Sequence, residues 1–287
     1  MAATSTRSVP FWLRPKWVVG HLLVVVLVVS FVNLGFWQLR RLDEKRARNA
    51  DIQSRSSQPV APVDEVVPPQ AGLSGVEGMV YRRGTARGTY DAGATVLVRS
   101  RSLDGRPGFF VLTPLVTADG RALIVNRGFA PFTDKPAEAL AATAPPSGSV
   151  QVTGLLLGTQ ERPGIGPTDP PGGVLSQINR VDLARLQQQY DAPLYPMYLQ
   201  LSDQRPPQAD ELPTTLPPPE QTEGPHLSYA IQWFFFAAVG VVGWPVLLRN
   251  TARERRQDAT YFSTPVAQER QPTPDGVRDA SDSVSPS

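Results

Sequence analysis

The chain has 287 residues, a net charge of +2, no cysteine and two histidines, which allows one or two domains but closes off several kinds of chemistry. Without cysteine there is no disulfide, thiolate metal site, cysteine nucleophile or covalent haem attachment, and two histidines are too few for a zinc or copper cluster in a soluble domain. Acidic and basic residues are nearly balanced between the two apolar blocks of the chain, so there is no basic face for nucleic acid.

In chain order, residues 1–16 carry Arg7, Arg14 and Lys16 and precede a first apolar block, residues 17–37. It runs for about 21 residues without a charge, enough to span about 30 Å of hydrocarbon. A cleaved signal is a poorer reading, because the apolar run is too long and "NLGFWQLRR" has no small-x-small cleavage site. Residues 38–72 read as a helix extension ("QLRRLDEKRARNADI") followed by a Pro-rich linker.

Residues 73–204 contain short β-branched or aromatic runs bounded by turn residues: "TVLVRS", "GFFVLTPLV", "RALIVNRGF", "SVQVTGLLLG" and "MYLQLS". The two "DGR" segments, with Gly105 and Gly120, supply turn chemistry. "NRVDLARLQQQY" predicts one short helix, with Asn179 or Asp182 as its cap. Residues 205–225 are a second Pro-rich linker, and residues 226–248 a second span. Residues 249–287, rich in Ser, Asp, Pro and Arg, predict a disordered tail. Arg249, Arg253, Arg255 and Arg256 follow the second span, whereas Glu220 and Glu223 precede it. The positive-inside rule then puts both termini in the cytoplasm and the long loop outside. The predicted fold class is a membrane protein in which two transmembrane α-helices flank an extracytoplasmic, mainly antiparallel β (α+β) domain. Scarce lysine beside plentiful Ala, Pro and Arg looks like a GC-rich bacterial genome, for which the membrane of the two spans is the plasma membrane.

Three motifs carry a resemblance. "LGFWQLRRLDEK" at the exit of the first span, "GFFVLTPL" followed by "LIVNRGFAP", and "HLSYAIQWF" opening the second span resemble, in order and spacing, the signatures of the Surfeit locus protein 1 family. The resemblance implies a non-enzymatic assembly factor for haem-copper cytochrome c oxidase. Its partners would be the oxidase catalytic subunit and haem a synthase, within membrane lipid, and haem a would be a transient cofactor. A membrane scaffold that binds the client without haem is the alternative. The motifs also nominate Trp37, Gln38, Asn126, Arg127 and Gly128 for partner contact. Arg127 is read either as engaging a partner carboxylate or haem propionate, or as pairing within its own domain beside a turn at Gly128.

On a helix, His226, Tyr229, Ala230, Trp233, Ala237, Gly240 and Trp244 share one face, small in the middle and aromatic at its ends. It suits a flat macrocycle, with His226 as axial ligand and Tyr229 and Trp233 beside it, or else another helix. His226 is otherwise a polar marker of the helix start, and His21, at the opposite leaflet, an interfacial residue. Asn33 and Gln232 lie at matching depth, which predicts an amide contact between the spans, the alternative being that each serves the client. No "GxSxG" or metal-binding motif occurs.

Overall fold

The computed structural model describes residues 10–68, 70–162, 164–208 and 211–263, with side chains to residue 257. The chain divides into two compact units, Met1–Arg40 with Pro225–Ser287, and Arg41–Gly224.

The first unit is built on two helices, α1 (Pro15–Ser56) as far as Arg40, and the last helix among the described residues, which starts at His226 and ends at Ser263. Both are long and apolar enough to cross a membrane. Proline opens α1, where its missing N–H costs nothing and its fixed φ suits the first turn. Each helix outruns its apolar block. The last helix continues through Arg249, Arg253, Arg255 and Arg256 to Ser263, where the sequence predicts disorder. The helical backbone persists there because the first residues past the apolar block include no proline or glycine until Pro265. The rest of the predicted tail, 264–287, lies outside the described residues.

The second unit is a mixed β-domain. Its elements are β1 (Ala61–Pro62), α2 (Val63–Val66), β2 (Arg83–Tyr90), β3 (Val96–Leu103), β4 (Arg106–Thr117), β5 (Ala122–Pro131), α3 (Pro136–Ala142), β6 (Ser149–Gly158), β7 (Gln177–Ile178), α4 (Leu183–Gln187) and β8 (Leu194–Arg205); the helix that starts at His226 is α5. Neighbouring strands run in the order β1-β2-β6-β8-β5-β4-β3-β7, and an added β2–β4 pairing closes five of them, β2, β6, β8, β5 and β4, into a barrel. The long β4 makes this possible: residues 106–112 pair with β3 and residues 115–117 with β2. At the junction Gly88 is required, since a Cβ there would run into the carbonyl oxygen of Val116.

The domain is less purely antiparallel than its sequence suggests, because β5–β8, β1–β2 and β3–β7 pair in parallel. A parallel pair needs a long connection, and the segment from β5 to β8 provides it through α3, β6 and α4. The barrel interior is one apolar cluster that includes Leu115, Leu123, Val125, Val152, Tyr195, Met197 and Leu199. A second cluster lies under α4, with Ile124, Ile178, Leu183 and Leu186. Strand β5 contributes to both, which explains its continuous burial.

Two stretches predicted as linkers are tied to this sheet instead. Val63, Val66 and Val67 pack into the barrel cluster, and Thr214 pairs with Phe129, while Pro217 accepts a hydrogen bond from Gln200. Neither stretch has a periodic apolar face, so each reads as solvated until a partner surface is known.

Both predicted turns form. Asp104 and Gly105 have φ of 50° and 76°, as a two-residue hairpin requires, and Gly120 has φ of 82°. The second turn is locked by Asp119, which accepts from Thr117 Oγ1 at 2.5 Å, from the Arg121 backbone N–H at 3.2 Å and from Arg121 Nε at 2.6 Å. The guanidinium lies 3.9 Å from the Tyr195 ring centroid. Burial alone raises the carboxyl, but the hydrogen bonds from Thr117 and Arg121 and the charge of Arg121 outweigh it and hold Asp119 at about 2, below its usual 3.8. The folded state therefore gains stability from the ionised carboxylate at pH above about 3.8, and that gain is lost as pH falls toward about 2. Thermal unfolding followed from pH 6 to pH 2 is expected to show a steeper acid loss in the natural chain than in Asp119→Asn, with the two curves converging at the acid end.

Candidate functional site

The two-helix unit holds both histidines, and each is fixed by the other helix. His226 is the first residue of α5, and its Nδ1 lies 2.8 Å from Gln38 Oε1. Gln38 is almost fully buried, at 9% exposure. With the amide oxygen accepting, the imidazole proton sits on Nδ1 and Nε2 keeps its lone pair. His21 is committed at both nitrogens: Nδ1 accepts from the Trp244 indole N–H at 2.7 Å, and Nε2 donates to the Trp12 carbonyl at 3.1 Å. The two rings meet edge to face, 5.4 Å apart.

Between these pairs the helices interlock small against large. A Cβ on Gly20 would lie 2.7 Å from Trp244, one on Gly35 2.7 Å from Phe234, and one on Gly240 2.8 Å from Val28. Phe31 stacks on Trp233 at 5.7 Å, and Ala230 and Ala237 are buried. The α5 face of His226, Ala230, Trp233, Ala237, Gly240 and Trp244 is thus the packing seam for α1. Close approach at glycine and alanine is how helices associate in lipid, where the hydrophobic effect between them is absent.

That seam decides how a haem could be met. The predicted flat cradle is filled by α1 side chains, so a macrocycle does not fit between the helices. Tyr229 lies outside the seam and is 47% exposed; Trp233 is half-buried, its indole N–H enclosed without a hydrogen-bond partner. Among the described residues, no three histidine, aspartate or glutamate side chains converge as a metal site. The one nitrogen left to offer an iron is Nε2 of His226.

The predicted Asn33–Gln232 contact does not form. Asn33 Nδ2 turns back to the Val29 carbonyl of its own helix at 2.8 Å, and Gln232 is exposed. Matching depth fixes position along the helix axis, but about 100° of rotation per residue places Asn33 away from the face that carries Gly20, Phe31, Gly35 and Gln38.

The partner-contact residues of the middle motif are interior residues. Val111 pairs with Gly128 and Leu112 with Asn126, so Arg127 is the extra residue of a β-bulge. It is 1% exposed. Its guanidinium donates to the Thr143 carbonyl at 2.6 Å, to the Ala144 carbonyl at 3.3 Å and to Gln208 Oε1, and it lies 5.3 Å from the Tyr90 ring centroid. Burial lowers it to about 10, partly offset by Tyr90. Asn126 is 2% exposed and accepts from the Gly128 N–H at 3.3 Å. Gly128 has φ of 140°, and a Cβ there would strike the Thr214 carbonyl oxygen. Arg127 therefore serves the domain's own structure, since Thr143, Ala144 and Gln208 of its own unit engage both terminal guanidinium nitrogens, while Nε is buried without a partner. Of the first motif, Gln38 is spent on His226, while Trp37 remains exposed at 46%.

Comparison with known proteins follows the same span. Residues 25–238 match the model of the SURF1 family. The chain is similar to an uncharacterized SURF1-like protein of Mycobacterium tuberculosis, 28% identical over 253 residues, which cover 86% of this chain and 89% of the relative. Shorter likenesses are to SURF1-like proteins of Dictyostelium discoideum, 29% identical over 40% of this chain and 44% of the relative, and of Rickettsia felis, 26% identical over 38% and 45%.

The histidine pairings have a direct spectroscopic test. In ¹⁵N spectra of the full chain in lipid, His226 is expected as the Nδ1–H tautomer and His21 as the Nε2–H tautomer. Gln38→Leu should release only His226, at a cost of about 1 kcal/mol for one lost hydrogen bond, and Trp244→Phe only His21, at a larger cost because the indole that packs over Gly20 is lost as well. Unchanged shifts in both variants would refute the pairings.

Proposed function

Because this chain belongs to the SURF1 family, which is linked to cytochrome c oxidase assembly, we propose that it is a membrane-anchored assembly factor for the haem-copper cytochrome c oxidase. The observation that carries this reading is the extent of the family match, which begins in α1, crosses the β-domain and ends in α5.

In this reading the protein promotes maturation of the oxidase catalytic subunit by holding the client, as a non-catalytic partner in lipid, alongside haem a synthase. Both termini are cytoplasmic and the β-domain extracytoplasmic in a bacterial plasma membrane. Supporting that orientation, Arg249, Arg253, Arg255 and Arg256 follow the second apolar block, and Glu220 and Glu223 precede it. The filled seam favours a holdase over a resident haem protein. Any meeting with haem a is transient and confined to Nε2 of His226, and no step is routed through the cofactor. Of Trp37 and Gln38, the two residues of the first motif nominated for partner contact, Trp37 is the one left exposed for the client.

The test is deletion and complementation in the source cell. Loss of the chain is expected to deplete assembled oxidase at least several-fold, with the complementing chain co-purifying with the catalytic subunit. An absorption spectrum of that preparation, beside His226→Ala, separates the two forms of the proposal: a haem signal lost in the variant assigns haem contact to His226, and a haem-free chain still bound to its client makes it a scaffold. Undiminished oxidase in the deletion strain would overturn the assembly role.

A further inference from the structure

Among the described residues of the two-helix unit, Gln232 is an unpartnered amide that faces outward, whereas the unpartnered indole N–H groups of Trp17 and Trp233 are enclosed. It lies six residues into α5, or about 9 Å from its start, and its side chain is exposed. Among the described residues its amide meets no hydrogen-bond partner. Asn33 and Ser30 answer the same problem by bonding backward to Val29 and Val26 of their own helix, whereas Gln232 has no such bond. In a helix that spans a membrane, an amide with two donors and one acceptor facing hydrocarbon is costly, so a partner of matching chemistry is implied.

The face around it is open as well. Tyr229 and Val239 are 47% and 53% exposed, a Cβ on Gly243 would meet nothing within 4 Å, and Phe236, 37% exposed, borders the seam, its ring 5.8 Å from that of Phe31 on α1. With Gln232 these residues recur at three- and four-residue spacing, a stripe along one side of α5. The buried side, Ala230 and Ala237, faces α1.

We propose that this stripe is a self-association surface, on which α5 of a second copy packs across a two-fold axis normal to the membrane, with Gln232 bonded to its counterpart. The inference rests on the reading of α5 as a membrane span. Two features select a second copy over a different helix. An amide is its own complement, since the donor of one copy can meet the acceptor of the other. Two copies inserted in the same orientation also bring this residue to identical depth without adjustment, and a two-fold axis makes the contact isologous. An unrelated helix would have to carry a polar residue at that depth by coincidence.

The absence of cysteine from the chain makes the test direct, because each introduced cysteine is the only one. The full chain in native membranes carries Val239→Cys on the stripe or Val241→Cys on the other side of the helix, with Gln232 intact, and is oxidised after alkaline extraction. Val239→Cys is expected to give a disulfide-linked dimer of this chain and Val241→Cys to give none. Adding Gln232→Leu to Val239→Cys should reduce the dimer roughly three- to fifteen-fold, the range of single intramembrane hydrogen bonds, and Gln232→Asn should restore part of it. A dimer indifferent to Gln232→Leu, equal crosslinking at the two positions, or no crosslink at all overturns the proposal. Crosslinking to a different membrane protein in place of a second copy also overturns it and gives the stripe to a client. Loss of the chain from alkali-washed membranes would instead refute the spanning reading, and the proposal with it.

Discussion

The two-helix unit depends on one constraint, that small residues on each helix receive large ones from the other. Gly20 takes Trp244, Gly35 takes Phe234 and Gly240 takes Val28. The two imidazole bonds, His226 to Gln38 and Trp244 to His21, then fix rotation and register near the two ends of the packed region. Dispersion at close approach provides the attraction and the directional bonds specify which faces meet. The same packing removes His21 from ligand chemistry and leaves His226 one nitrogen, so the histidine content of the chain is largely spent on helix geometry.

The β-domain solves a different problem by closing its sheet. Strand β2 joins β6 on one edge and β4 on the other, leaving no free edge around the five-stranded ring. Arg127 sits at a bulge in this ring with carbonyl oxygens, Gln208 and the Tyr90 ring around its guanidinium. A buried cation met by neutral acceptors is expensive, and it persists because every contact comes from a segment that must be in place for the domain to be folded. That makes Arg127 a residue of domain integrity, joining β5 to the stretches around Thr143 and Gln208.

The sequence was informative where one property decides the structure. Apolar run length located both membrane-length helices, and β-branched alternation with Gly turns located β3, β4, β5, β6 and β8. Strand β2, "RGTARGTY", stayed hidden because its inward residues are only Gly84, Ala86 and Tyr90, too little apolar signal for a period-2 pattern; its closeness to β4, the reason for Gly88, is a tertiary fact. The valines after residue 62 were hidden for a similar reason, since their burial depends on a barrel formed by distant strands. At the candidate site, depth along the helices was legible and rotation was not. The face containing His226 and Trp244 was identified, but whether a macrocycle or a helix fills it needed the partner helix, and Asn33 and Gln232 were paired by depth alone. The "NRG" motif left both a contact and a turn open, because nothing local reveals that β5 is covered on both faces.

The most direct test of a closed seam is to lock it. A chain carrying both Val28→Cys and Gly240→Cys, the only two cysteines present, places thiols where a Gly240 Cβ would already lie 2.8 Å from Val28, so oxidation should link α1 to α5 within one chain. Oxidase maturation in a deletion strain complemented by this variant is then measured with the disulfide formed and reduced. A helix pair that functions closed gives the same oxidase content in both states. Maturation that fails on oxidation and returns on reduction would mean that the helices must part to admit a ligand, and would contradict the closed seam as the working form.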